Sequence, residues 1–227
     1  MYKNYRVEDI IKNLNIIGIR PLDIMITGVT GAGKSTTLNS LFQKDVAVVG
    51  KGVEPETMEL ESYSLNNYFR LWDTPGLGDG KVKDMAHSKK IIDLLYKDYS
   101  TNNQTYGFID MVVVIIEGSN RDMGTTYKLL NEIIVPNFQK DRILVAINQA
   151  DMAMKGRHWD RNTNTPTPKL KNFLEQQANS IQKRVLEATG IEILKPVYYS
   201  AEYNYNISKI LDFIIDNMPT QKRKLTL

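Results

Sequence analysis

The chain has 227 residues, of which 42% are apolar, 29 are basic, 26 are acidic and none is cysteine. This length allows one substantial hydrophobic core, and the net charge of +3 gives no basis for nucleic-acid binding. Disulfides and thiolate-bound metals are excluded, and His87 and His158 are too few for a histidine site, so any metal is expected to have oxygen ligands. No apolar run reaches the roughly 18 residues that span a bilayer, and the first residues lack the apolar centre of a secretion signal; a soluble, cytoplasmic protein without a membrane signal is expected.

Apolar periodicity divides the chain into alternating helices and strands. An amphipathic helix is predicted over residues 7–17, with Pro21 breaking the chain before the first strand. Strands are predicted at 23–27, 58–64, 68–72, 111–116, 143–147 and 197–199, and further helices at 35–43, 84–96, 125–135, 169–187 and 207–215. The strand at 111–116 is apolar on both faces, whereas that at 58–64 alternates like an edge strand. The pattern predicts an α/β fold in three layers, with a mostly parallel six-stranded sheet, one antiparallel edge strand, and helices on both faces.

The segment GVTGAGKS at residues 28–35 fits the pattern G-x-x-x-x-G-K-[ST] and directly follows the first predicted strand. Its glycines allow backbone N–H groups to surround phosphate oxygens, and Lys34 is expected to reach the β- and γ-phosphates of a nucleotide. The Ser35 hydroxyl is expected to coordinate Mg²⁺. A glycine-rich turn that merely caps a helix is the alternative. The predicted phosphate-binding residues are Gly28, Thr30, Gly31, Ala32, Gly33, Lys34, Ser35 and Thr36.

The third predicted strand runs into the segment DTPG, residues 73–76. Asp73 therefore lies at the carboxyl end of a strand, where an open α/β sheet binds its ligand, and it is expected to hold Mg²⁺ through a water. Gly76 is expected to offer its backbone N–H to a terminal phosphate, so that the loop relaxes when this phosphate leaves. A simple Pro-Gly turn is the alternative.

The fifth and sixth predicted strands end in NQAD, residues 148–151, and in Ser200-Ala201. The Asp151 carboxylate matches the N1–H and N2–H₂ donors of guanine, whereas adenine presents an acceptor and no amine at these positions. Asn148 is expected to connect this motif to the phosphate loop, and the Ala201 N–H to bind guanine O6. A generic polar strand end is the alternative. The predicted base-binding residues are Asn148, Gln149, Asp151, Ser200 and Ala201.

In this order, and each at a strand end, these motifs resemble those of the translation-factor class of GTPases. The segments TGAGKSTTLNSLF and WDTPGLGDG are most similar to the Era-like bacterial group, of the 50S ribosome-binding type, and more distantly to septin-like and immunity-related GTPases. The resemblance spans residues 28–201. It implies a G domain at 22–218, between an N-terminal helical extension at 1–21 and a basic C-terminal tail at 219–227.

The resemblance also implies an activity: hydrolysis of GTP to GDP and phosphate with Mg²⁺, as a molecular switch for a protein effector that the sequence does not name. The family's switch threonine, which binds Mg²⁺ and the γ-phosphate, is best matched by Thr57. Catalysis is then assigned to Lys34, Thr57 and Gly76, and metal binding to Ser35, Thr57 and Asp73. Thr57 as an ordinary strand-starting residue is the alternative.

Three positions depart from related patterns. Leu77 stands where Ras-like GTPases have a water-orienting glutamine, so turnover is expected to be slow, or to require Asp79, Thr57, a partner or a dimer. Gly31 replaces the asparagine with which some relatives recruit potassium, so no potassium activation is expected. Gln149 replaces a lysine whose stem covers guanine, so weaker stacking and micromolar affinity are expected.

Other features leave alternatives open. Trp159, in the polar insertion 155–168, either covers the base or anchors the loop; Arg121-Asp122 is either a dimer contact or a helix start; and Lys222-Arg223-Lys224 is expected to be a solvated tail. A GTP-gated dimerisation module with little hydrolysis is the alternative to a switch. A third interpretation assigns ATP to the phosphate loop and treats NQAD as coincidence.

Overall fold

The computed structural model describes residues 2–19, 21–43, 61–78, 80–119 and 123–225. Six of the strands in these segments form one sheet, in the order β10-β7-β6-β1-β3-β2, and four form separate hairpins. In chain order the strands are β1 (Leu22–Gly28), β2 (Glu61–Asn66), β3 (Phe69–Asp73), β4 (Asp98–Thr101), β5 (Gln104–Gly107), β6 (Met111–Glu117), β7 (Ile143–Asn148), β8 (Trp159–Asp160), β9 (Thr165–Pro166) and β10 (Val197–Tyr198).

All pairs in the main sheet are parallel except β2 with β3, which is antiparallel at the edge. The predicted mostly parallel six-stranded sheet with one antiparallel edge strand is therefore confirmed. The edge strand begins at Glu61 in the described part of the chain, so the predicted start at residue 58 lies outside the described residues.

Helices cover both faces of this sheet. They are α1 (Val7–Ile17), α2 (Lys34–Phe42), α3 (Lys81–Tyr96), α4 (residues 124–137), α5 (Pro168–Thr189) and α6 (Ile207–Asp216). The middle of α4, Leu129–Ile134, is π-helical. One apolar cluster joins the sheet to α1, α2 and α6, and a second joins it to α3, α4 and α5.

Strand β6 shows why the sheet needs both layers. Val113 and Ile115 belong to the cluster under α1, α2 and α6, whereas Val112 and Val114 belong to the cluster on the opposite face. All four are fully buried. Because successive side chains of a strand point to opposite faces, a run of apolar residues must be covered on both sides, and the predicted three-layer fold follows.

The β4–β5 hairpin was not among the predicted elements. Its turn is Asn102-Asn103, in which both residues have positive φ, at 52° and 59°. A two-residue turn of this kind between β-branched and aromatic residues is a recognisable hairpin signal in DYSTNNQTYG, so this element was open to prediction.

The insertion at 155–168 folds as the small β8–β9 hairpin. Trp159 lies half-buried on it, with its ring 5.4 Å from that of Tyr203 and 5.5 Å from that of Tyr205. These contacts support the anchoring interpretation of Trp159 over the base-covering one.

The prediction of a solvated C-terminal tail is wrong for Arg223. This side chain is only 3% exposed and donates hydrogen bonds to the carbonyl oxygens of Leu95 (2.6 Å) and Ile109 (2.7 Å). Its guanidinium also lies 4.6 Å from the centre of the Phe138 ring. The backbone of Arg223 accepts the N–H of Gly107, so the tail closes over the end of the β4–β5 hairpin. Three consecutive basic residues resemble a solvated tail in the sequence, and only the fold shows that one of them is buried.

A second buried group lies near Arg223. Asp110 is 3% exposed, and its carboxylate accepts the backbone N–H of Asp23 at 2.9 Å. The pKa of Asp110 is raised to about 7, mainly by burial and also by the charge of the Asp23 carboxylate, whereas the hydrogen bond from the Asp23 N–H and the charges of Arg142 and Arg223 oppose the increase. Folding therefore favours the protonated carboxyl group.

A raised pKa in the folded state predicts that Asp110 contributes stability below its unfolded pKa of about 3.9, and that this contribution is lost as the pH rises towards 7. The free energy of unfolding is expected to fall by about 2 kcal/mol more in the wild type than in Asp110→Asn between pH 5 and pH 8. Asparagine keeps the acceptor for the Asp23 N–H. Urea unfolding of both proteins at the two pH values measures the difference, and an identical pH dependence of both proteins contradicts the prediction.

Candidate functional site

Four motifs meet at one edge of the sheet, where the parallel strands end. In the strand register Ile26 lies beside Asp73, Gly28 beside Ile115, and Glu117 beside Asn148. Tyr198 of β10 lies beside Ile147 of β7, so the loops that follow β1, β3, β7 and β10 emerge at the same edge, which is the usual ligand-binding edge of an open α/β sheet.

The phosphate loop runs from the end of β1 into α2, as its sequence pattern predicts. Gly33 precedes the helix with φ of 84°, and a Cβ atom at this position would collide with the Asn148 side-chain amide. Only glycine meets both requirements. Lys34 is 8% exposed, and its Nζ donates to the carbonyl oxygens of Gly28 and Val29, each at 3.3 Å. The ammonium group thus lies over the start of the loop, while Thr30 and Thr36 are half-buried nearby.

Ser35 and Asp73 face each other beside this loop. The Ser35 Oγ lies 3.4 Å from Asp73 Oδ2, and Asp73 is 1% exposed. Burial raises the pKa of Asp73 to about 6, although the charge of Lys34 opposes the increase. Asp73 Oδ1 is buried and has no hydrogen-bond partner among the described residues. A hydroxyl beside an unsatisfied carboxylate oxygen fits the oxygen ligands that Mg²⁺ prefers. No group of three or more acidic or histidine side chains suited to a metal occurs among the described residues.

Asn148 connects the phosphate loop to the last strand motif. Its Nδ2 donates to the carbonyl oxygens of Ala32 (3.0 Å) and Gly33 (3.4 Å), and its Oδ1 accepts the Ala201 N–H (3.1 Å). Asn148 is 1% exposed, so these contacts are shielded from water. The predicted contact between Asn148 and the phosphate loop is present. The Ala201 amide, expected to bind guanine O6, is engaged with Asn148 in this structure.

Asp151 is held by the motif on the neighbouring strand. Its Oδ1 accepts a hydrogen bond from Ser200 Oγ at 2.5 Å, and Asp151 is 7% exposed. Ser200 is fully buried, and its hydroxyl also accepts the Tyr203 N–H at 3.3 Å. The Ser200 hydroxyl therefore sets the orientation of the Asp151 carboxylate.

Gln149 adopts a positive φ of 58° and reaches the phosphate loop, where its Nε2 donates to the Gly31 carbonyl at 2.8 Å. The side chain thus spans the distance between the two motifs. The sequence predicted Gln149 as a base-binding residue that replaces a base-covering lysine, and it did not predict this contact.

The DTPG loop contacts the phosphate loop directly. The Thr30 N–H donates to the Leu77 carbonyl at 2.8 Å, and Val29 and Leu77 form a parallel β-bridge. A Cβ atom at Gly76 would lie 2.6 Å from the Thr30 nitrogen, so glycine is required by the close approach of the two loops. The Leu77 side chain is 2% exposed and belongs to the apolar cluster under α3, α4 and α5.

Several predicted residues lie outside the described part of the chain, and the structure says nothing of them: Thr57, Asp79, Arg121 and Asp122. Two further contacts were missed by sequence reasoning. His87 lies 2.7 Å from the Gly76 carbonyl oxygen through its Nδ1, and Tyr199 bonds the Thr37 hydroxyl at 2.8 Å. A lone histidine within a helix and a tyrosine at the end of a strand carry no recognisable motif, so the sequence held no signal for either contact.

Replacing Leu77 with glutamine tests how this position affects turnover. Because the side chain lies in the apolar cluster, the amide is expected to be buried and to lower the free energy of unfolding by about 2 kcal/mol. Single-turnover GTP hydrolysis is expected to change less than about threefold, since the glutamine points away from the phosphates. Leu77→Met, which conserves the volume, is the control and is expected to keep both properties. A tenfold acceleration by glutamine would contradict this placement of the side chain.

Comparison with known proteins identifies relatives of this chain. A family model described as a 50S ribosome-binding GTPase matches residues 23–149. The GTPase Der of Orientia tsutsugamushi (strain Ikeda) is 22% identical over 207 residues, which cover 90% of this chain and 40% of Der. The tRNA modification GTPase MnmE of Bacteroides thetaiotaomicron is 24% identical over 199 residues, covering 86% of this chain and 38% of MnmE. The chain therefore spans about two fifths of the length of these two relatives.

The fold is also similar to that of solved GTPase structures. Aquifex aeolicus Era bound to GDP·AlF₄⁻ superposes with a TM-score of 0.58 at 17% identity, covering 88% of this chain and 58% of Era. Arabidopsis thaliana Toc33 in complex with GDP and Mg²⁺ superposes with a TM-score of 0.63 at 15% identity, covering 95% of this chain and 91% of Toc33. At these identities the similarity establishes the fold. No helix in the described segments is long and apolar enough to cross a membrane.

Proposed function

The chain belongs to the 50S ribosome-binding GTPase family, a family of P-loop GTPases, and we propose that it binds and slowly hydrolyses GTP as a molecular switch. One observation carries this proposal: Asn148 bonds both the phosphate loop at Ala32 and the strand motif at Ala201. The phosphate cradle and the base-reading carboxylate are thereby held as one site, which is what recognition of a whole nucleotide requires.

Guanine recognition is assigned to Asp151. Its carboxylate accepts from guanine N1–H and N2–H₂, and the Ser200 hydroxyl keeps it oriented before the base arrives. Such preorganisation strengthens binding because little side-chain entropy is lost. The hydrogen bond from Gln149 to the Gly31 carbonyl is a second connection between the base motif and the phosphate loop.

At the phosphates the chain supplies charge and backbone donors. When the nucleotide binds, Lys34 Nζ donates to β- and γ-phosphate oxygens instead of the Gly28 and Val29 carbonyls. Its positive charge there stabilises the transition state. Ser35 and Asp73, with Thr57 as the third candidate, would hold Mg²⁺, which neutralises phosphate charge when bound. Gly76 presents its N–H to the γ-phosphate, so that release of this phosphate frees the loop.

Slow turnover follows from Leu77. Its side chain is buried in the core and carries no polar atom, so it cannot orient an attacking water. A partner protein or a second copy of the chain would then accelerate hydrolysis. Dimerization is important for the GTPase activity of the chloroplast translocon components atToc33 and psToc159, and a solved structure from these components superposes on this chain with a TM-score of 0.64. A nucleotide-dependent homodimer is therefore the first partner to test.

The experiment is steady-state phosphate release from GTP with Mg²⁺ over a hundredfold range of protein concentration, with competition binding by ATP. We expect slow GTP turnover and no competition by ATP at equal concentration. Lys34→Ala is expected to abolish turnover, and this loss would exclude a contaminating GTPase as the source of the activity. Lys12→Ala, at an exposed position on α1, is the control and is expected to leave turnover unchanged. Turnover per chain that rises with protein concentration supports the dimer. Equal affinities for GTP and ATP would overturn the assignment of Asp151.

A further inference from the structure

Two side chains of α3 hold the loop that follows β3. Asp84 Oδ1 accepts the Gly78 N–H at 2.8 Å, and His87 Nδ1 lies 2.7 Å from the Gly76 carbonyl oxygen. Asp84 and His87 are three residues apart and so lie on the same face of the helix. The first turns of α3 and residues 76–78 are thereby joined.

The contact of His87 has a defined direction. A carbonyl oxygen only accepts hydrogen bonds, so Nδ1 carries the proton and donates it to Gly76. His87 is 4% exposed, which shields this hydrogen bond from competition by water. Glycine has no side chain to restrict its backbone, and the hydrogen bond therefore sets the direction of the Gly76 carbonyl.

The next carbonyl of the loop is held by the phosphate loop. The Leu77 oxygen accepts the Thr30 N–H at 2.8 Å, and the buried Leu77 side chain anchors the same residue in the core. Two successive carbonyl groups are thus oriented, one by α3 and one by the phosphate loop. The Gly76 N–H, which is assigned to the γ-phosphate, belongs to the same residue as the first of these carbonyl groups.

We propose that His87 is a positioning residue for GTP hydrolysis, which acts by orienting the Gly76 backbone beside the terminal phosphate. This role rests on the proposed GTPase function. It is specific for the triphosphate, because GDP has no phosphate at the position that Gly76 is assigned to contact. His87 does not itself touch the nucleotide in this assignment, and its effect passes through the Gly76 carbonyl.

Two substitutions separate positioning from a merely structural role. His87→Leu fills the buried space without a donor, whereas His87→Asn retains an amide donor close to the place of Nδ1. Lys89→Ala, at an exposed position of the same helix, is the control. The measurements are kcat and KM for GTP, and the dissociation constants of GDP and of a non-hydrolysable GTP analogue.

For His87→Leu we expect kcat to fall about tenfold and the analogue affinity about fivefold, while GDP affinity stays within about twofold. His87→Asn is expected to recover at least about a third of the wild-type kcat. Unchanged kcat in both variants, or an equal loss of GDP and analogue affinity, overturns the role of His87. A wild-type protein that binds no guanine nucleotide overturns the proposed function instead. If the wild type binds both nucleotides without turnover, the ratio of analogue affinity to GDP affinity is the test. A lower ratio in His87→Leu than in the wild type supports the role of His87, and an equal ratio overturns it.

Discussion

Replacing Asp151 with asparagine is expected to change the preferred nucleotide from GTP to xanthosine triphosphate, with GTP affinity falling at least about 100-fold. Asparagine presents one acceptor and one donor, which match the N1–H and the C2 carbonyl of xanthine and oppose the C2 amine of guanine. The structure adds the orientation. Ser200 Oγ donates at 2.5 Å to Asp151 Oδ1, so in the variant the amide oxygen takes this place and the amide nitrogen replaces Oδ2.

Competition binding of GTP, xanthosine triphosphate and ATP to the wild type and to Asp151→Asn measures this change. The double variant Asp151→Asn with Ser200→Ala removes the hydroxyl that orients the amide, and its preference for xanthosine triphosphate is expected to be weaker than that of the single variant. Asp160→Asn, on the β8–β9 hairpin, is the matched control for loss of one carboxylate and is expected to bind GTP normally. GTP binding by Asp151→Asn within about threefold of the wild type would show that Asp151 does not read the base.

Replacing Arg223 with alanine is expected to lower the free energy of unfolding by about 3 kcal/mol, although this residue lies far from the phosphate loop. The variant leaves the carbonyl oxygens of Leu95 and Ile109 without their donor in a buried environment, and it removes the contact with the Phe138 ring. Unsatisfied buried acceptors are more destabilising than the lost hydrogen bonds themselves. Burial lowers the pKa of Arg223 to about 10, so the side chain remains protonated at neutral pH.

Lys224→Ala is the matched control for Arg223→Ala. Lys224 is exposed, and its backbone bridge to Tyr106 does not depend on its side chain, so a change below about 0.5 kcal/mol is expected. Urea unfolding followed by circular dichroism compares the two variants with the wild type. Gly107→Ala tests the same contact from the other side, because a Cβ atom there would collide with the Arg223 guanidinium. Equal stability of Arg223→Ala and Lys224→Ala would contradict the buried role.

Much of the fold could be predicted from the sequence because the patterns that indicate it are local. The alternation of buried strands with amphipathic helices appears in windows of about ten residues, and it predicted the sheet, the edge strand and the two helical layers. The motifs at Gly28–Ser35, Asp73–Gly76 and Asn148–Asp151 were readable for the same reason, since each is a short segment whose residue types match one chemical task. Their meeting at one edge follows from parallel strands alone.

Other properties of the site depend on contacts between segments that are distant in the chain. Ser200 was predicted to bind the nucleotide, and only the structure shows that its hydroxyl donates to Asp151, 49 residues away in sequence. Leu77 was predicted from its missing polar group to be a poor water-orienting residue, but only packing shows that its side chain belongs to the core. Short sequence patterns do not show which distant groups become neighbours in the fold.

By itself the sequence determined the fold class and the phosphate-loop and NQAD patterns, because local periodicity and fixed spacing encode them. Only the tertiary structure decided that Arg223 is buried, 128 residues from the Leu95 carbonyl it binds, and that His87 meets Gly76. A charged side chain or a single histidine is compatible with solvent and with the interior alike. The fold decides between the two, because it brings distant backbone carbonyls within hydrogen-bonding distance of the side chain. Burial then makes the loss of these hydrogen bonds strongly destabilising.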